Sequence, residues 1–145
     1  MTQVATALDR VAALLEAQLP GVPVFRVPPA ENTPPREAVW LDETRAVWEW
    51  RALGGYRNRD EQIEITVRAH AWREGPDHLV AGAAARARCL ELVDMVDAAI
   101  ATDQTLGGLA GGVRVSQATV RMVPHESGWS AEAEMEVTVE LVPSL

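Results

Sequence analysis

The sequence contains no lysine, a single cysteine, one phenylalanine, one tyrosine and three histidines. Each scarcity excludes something. With Cys89 alone, no intrachain disulfide can form, so packing must hold the fold, and a reducing compartment is the expectation. All 13 basic residues are arginine and stand against 21 Asp and Glu, giving a net charge of -8 and a pI near 4.8. A surface of that sign repels phosphate and anionic lipid, which argues against tight nucleic-acid binding by charge neutralisation. Arginine without lysine, beside abundant Ala, Val and Gly, reflects GC-rich coding. No stretch reaches the ~18 apolar residues of a membrane span. The opening "MTQVATALDRVAALLEAQLPG" lacks the basic start and unbroken apolar run of a signal peptide, so a soluble chain is expected.

What is present is periodicity. At 145 residues the chain suits one α+β domain, residues 1–145, able to bury roughly 68 to 70% of its unfolded surface. Val4, Leu8, Val11, Leu15 and Leu19 recur at helical spacing, with Thr2 as N-cap and Pro20-Gly21 as terminator. "VPVFRV" reads as a short strand and "PPAENTPPRE" as an extended surface loop. From Val39 to Leu53 the pattern is strand-like, with a turn at Asp42 and Glu43 and with Ala46, Trp48 and Trp50 on the core side. "GGYRNRDE" supplies hairpin-turn chemistry before a strand from Glu61 to Trp72. In that strand Ile63, Ile65, Val67, Ala69 and Ala71 alternate with Gln62, Glu64, Thr66, Arg68 and His70.

Asp77 is the expected N-cap of a long helix to about Thr102, with Cys89, Leu90, Val93, Val96 and Ile100 inward. Two closing strands follow. The first changes apolar parity between Val115 and Ala118, the signature of a β-bulge. The second alternates Ala131, Ala133, Met135, Val137, Val139 and Leu141 with an acidic outer row. Helix, strands, helix, strands predicts two layers, two helices on one face of a mostly antiparallel sheet.

The residues offer little chemistry. His70, His78 and His125 lack metal-ligand spacing, and no cofactor or metal is expected. Ser127 and Ser130 near His125 lack the strand-turn-helix setting of a nucleophile elbow. "GGLAGGV" leads into a strand and carries no phosphate-binding Lys or Ser/Thr. Glu132, Glu134 and Glu136 form an acidic row at ~6.6 to 7 Å intervals, read as a solvated face or one paired with arginine, Arg68 and Arg114 having the right parity. The five tryptophans are the excess: Trp40, Trp72 and Trp129 fall at strand ends or turns, as contact anchors or as caps on their own core.

"LGGYRNRDEQIEITVRAHAW", the helix "DHLVAGAAARARCLELVDMVDAAIATDQTLGG" and the closing "VRMVPHESGWSAEAEMEVTVELV" together resemble the tail terminator proteins of long-tailed bacteriophages, over about residues 38 to 143. The resemblance lies in order and texture. It implies a non-enzymatic subunit of a six-membered ring that caps the tail tube and offers the head connector its attachment surface. Partners would be further copies of the chain, the tube protein and a connector or stopper, with DNA passing through unbound. A closed ring needs two different complementary surfaces on each subunit. Candidate interface residues are Arg57, Arg59, Asp60, Glu61, Trp72 and Trp129, and Glu132, Glu134 and Glu136 are candidates for an acidic lumen. Competing expectations are another neck component, a tail-tube subunit, disfavoured by short turns, and a small-molecule-binding domain with Trp129 and His125 at a pocket mouth.

Overall fold

The computed structural model describes residues 2–30, 36–53 and 56–141, with side chains described at 3–30, 36–48 and 61–141. Two helices, α1 (Thr2–Gln18) and α2 (His78–Ala101), pack on a five-stranded sheet. The strands are β1 (Val24–Phe25), β2 (Glu37–Leu53), β3 (Tyr56–Glu74), β4 (Ala110–Pro124) and β5 (Gly128–Leu141), in the order β1-β2-β3-β5-β4. All pairs are antiparallel except β1 with β2. This is the α+β, two-layer arrangement that the periodicities require.

The core lies between sheet and helices. Ile63, Ile65, Val67, Ala69 and Ala71 of β3 are fully buried, as are Met135, Val137 and Val139 beside them on β5. Alternation places these residues on one face, and the helices cover it. From α1, Ala7, Val11, Ala12 and Leu15 enter the core. From α2, Ala81, Ala85, Cys89, Leu92, Val96, Ala99 and Ile100 form one stripe at helical spacing. Asp77 caps α2 as expected, its carboxylate accepting from the Leu79 and Val80 amides at 3.0 and 3.2 Å. After α2 the chain reverses through Leu106, Gly107 and Gly108, all at positive φ, while the Leu106 side chain plugs the core.

Several expectations are corrected. Asp42 and Glu43 form no turn: β2 runs straight through them with a register shift between Leu41 and Thr44, a bulge. "YRNRD" is strand, because Tyr56 to Asp60 pair in register with Leu53 to Glu49, leaving only Gly54 and Gly55, outside the described residues, for the reversal. Mixed charges within a strand read as a loop. Trp48 is 46% exposed rather than core, since it lies where the helices no longer cover the sheet; the Trp50 side chain falls outside the described residues. On α2, Leu90 is exposed and Leu92 fills the core position. The bulge expected in the first closing strand is found between Val115 and Gln117.

Candidate functional site

The acidic row on β5 faces away from the helices. Glu132 stands opposite His70 and Arg121, and Glu134 opposite Arg68 and Thr119. Arg121 bonds Glu132 at 3.3 Å; Arg68 reaches Glu134 at 3.4 Å and Asp42 at 2.6 Å. Arg114 pairs instead with Glu140, at 3.0 Å. Glu136 borders a shallow polar depression of about 150 Å³ with Glu43, Arg45, Glu64 and Thr66, where Arg45 is bonded to Glu64. That bond, first, holds the Arg45 guanidinium more firmly protonated than usual. The row is therefore a charge ladder laced with arginine. Among the described residues no cluster of His, Cys, Asp and Glu has the geometry to hold a metal ion.

At one end of the same face, His125 Nε2 lies 2.6 Å from Ser130 Oγ, and Trp72 meets the imidazole edge-on at 4.9 Å between ring centroids. A serine and histidine at hydrogen-bond distance are two parts of a nucleophilic site. Here Ser130 is buried, and the His125 backbone N–H closes the β4–β5 hairpin on the Gly128 carbonyl at 2.8 Å. The pair fixes a turn. Gly128 is required there, because a Cβ would collide with the backbone of Arg73 and Glu74.

On the helix side of the same end, the β5 alternation turns Trp129 under the first turns of α2. Its indole lies against Gly82, where an added Cβ would sit 3.3 Å from the ring, and the His78 imidazole tilts over it at 4.8 Å. Trp129 Nε1 is buried without an acceptor. Beside it opens an apolar groove of about 320 Å³, bordered by His78, Leu79, Ala83 and Arg86 from α2 and by Met122 from β4. Leu79 stands 83% exposed at its lip, and Val80 next to it in α2 is 63% exposed. His125 does not border this groove, so the expected pairing of Trp129 and His125 at one pocket mouth is not formed.

At the opposite end, β3 leaves β5 at Glu61, which pairs with Leu141; among the described residues Tyr56 to Asp60 pair with β2 alone. Five residue pairs of ribbon extend roughly 17 Å past that point. Glu61 stands directly across from Trp48. Backbone positions of Arg57, Arg59 and Asp60 lie in this ribbon, and their side chains lie outside the described residues. The interface candidates thus divide between two ends of the sheet: Arg57, Arg59, Asp60 and Glu61 at one, Trp72 and Trp129 at the other.

Sequence reasoning missed the groove residues Leu79, Gly82, Arg86 and Met122. The available signal was two adjacent aliphatic residues, Leu79 and Val80, in the first turn after the N-cap Asp77, where both cannot face the core. It also missed Glu37, whose carboxylate takes Arg88 at 2.9 Å and Arg73 at 2.6 Å and ties α2 to the sheet. Its hydrogen bond from Arg88, against the opposing effect of burial and with help from Arg73, draws its proton affinity below the ordinary 4.5. No family model matches the chain, and no curated protein matches it.

Proposed function

We propose that the protein is a structural subunit of a phage tail that assembles into a ring, most simply of six copies, on the end of the tail tube. There it ends tube growth and offers a surface to the head connector or stopper, as part of the virion and without enzymatic activity or cofactor. The observation that carries this reading is the placement of exposed apolar residues at two opposite ends of one sheet. Val47 and Trp48 lie at one end, Leu79, Val80 and the groove at the other. Two unlike surfaces that cannot meet within a chain are what a closed head-to-tail assembly needs. The order of helices and strands that carries the family resemblance supports the same reading.

The arginine-laced acidic face suits a wall that DNA slides past, because it offers no net release of counterions from phosphate. Facing the lumen with Glu132, Glu134 and Glu136 would make the pore net negative. Electron microscopy of the purified protein should show rings, and adding it to polymerising tube protein should stop elongation. Monomers that leave tube length unchanged would refute the proposal, and a pore lined chiefly by arginine would refute the acidic lumen.

The length of the β2–β3 hairpin favours a second reading, a subunit of the tube itself. The short-turn argument against that reading no longer holds, since β2 and β3 pair over a long hairpin. The two differ in what the protein does alone: a tube subunit grows open-ended polymers, whereas a terminator stops at one ring.

A further inference from the structure

We infer that the Trp48–Glu61 pair, at the base of the ribbon formed by one copy's β2–β3 hairpin, seats in the groove beside the α2 N-terminus of the next copy, Trp48 against Trp129 and Glu61 against Arg86. This rests on the ring reading and names the junction that the ring would use. Trp48 and Glu61 are direct cross-strand partners, so an indole and a carboxylate project from one face side by side. The groove offers the matching pair. Its floor is Trp129 and Gly82, and at its border Arg86 makes no salt bridge among the described residues, whereas Arg88 one turn-face away is held by two carboxylates.

Size and polarity agree. A cavity of about 320 Å³ is at the lower end of pockets that enclose a ligand group, and one indole is a fitting occupant. Aromatic anchors seated in a pocket, ringed by contacts that exclude water, carry most of the energy of protein interfaces. Leu79, Ala83 and Met122 around the groove would supply that ring.

Geometry forbids the contact within one chain. Twelve residues of β3 separate Glu61 from the Arg73–Trp129 pair, roughly 40 Å of strand. Knob and groove are unlike surfaces, so copies joined head to tail each use one of each, whereas a reciprocal two-fold pair would stop at a dimer and overturn the ring.

The test is a mixing experiment on Trp48→Arg and Leu79→Arg, both exposed positions, with thermal melts confirming that each variant folds. Native mass spectrometry should find the wild type as a closed ring and each variant alone as a monomer. Mixed in equal amounts, they should form a one-to-one dimer, because the first retains the groove and the second retains the knob. As a second route, Arg86→Glu and Glu61→Arg should each loosen the ring at least tenfold, and the double variant should recover most of it. Wild-type rings that survive both substitutions, or monomeric variants that do not pair on mixing, would overturn the docking while leaving the ring reading intact. A monomeric wild type would sink both.

Discussion

Glu37 illustrates how one side chain couples to pH. Its folded-state proton affinity lies below the 4.5 of the unfolded chain, so below that pH the unfolded state binds more protons and gains ground. The stabilisation is complete above about pH 4.5 and is lost as pH falls through the lower folded value. Glu37→Gln should therefore lower the melting temperature near neutrality and flatten its decline between pH 5 and 3, as read by circular dichroism. Cys89 makes the opposite point. Burial, first, with a smaller push from Glu132, raises its thiol to about 11, so the native protein should resist a thiol reagent at pH 8 and react fully once unfolded.

At the scale of elements, α2 separates two leucines that composition treats alike. Leu92 is fully buried and Leu90 is 46% exposed. Leu92→Ala should cost about 2 to 5 kcal/mol in denaturant titrations, whereas Leu90→Ala should stay within about 0.5 kcal/mol. The same helix starts on Asp77, and Asp77→Ala should cost about 1 kcal/mol by releasing two amides. Most of β3 and β5 was legible because a strict alternation has one solution, apolar residues toward the helices. The distal hairpin was not. The run "YRNRD" carries no apolar alternation to distinguish a strand from a charged loop, and the bulge at Leu41–Thr44 resembles a turn for the same reason.

For the whole molecule, the two ends of the sheet make the prediction. Reversing Arg57 and Arg59 to Glu removes two positive charges and adds two negative ones, taking the chain from -8 to about -12, and on the ring proposal should shift mass photometry toward smaller species. Unchanged oligomer size would assign these arginines to solvent. The acidic row offers a complementary measurement: the assembled protein should not retain duplex DNA even at low salt, where cationic surfaces bind most tightly.

The sequence by itself determined the class of fold, the core face of each regular strand, the cap of α2 and the bulge in β4, because each follows from local spacing and from one residue's own chemistry. It also gave Arg68 and Arg114 the parity to meet the acidic row, and strand order then set Arg68 beside Glu134 and Arg114 beside Glu140. Only the tertiary structure decided that Trp48 emerges into solvent, that Glu37 binds two arginines, and that Trp129, Gly82 and Arg86 share one groove. Those outcomes depend on where one layer stops covering the other, and the length of that overlap is set by packing between segments distant in the chain.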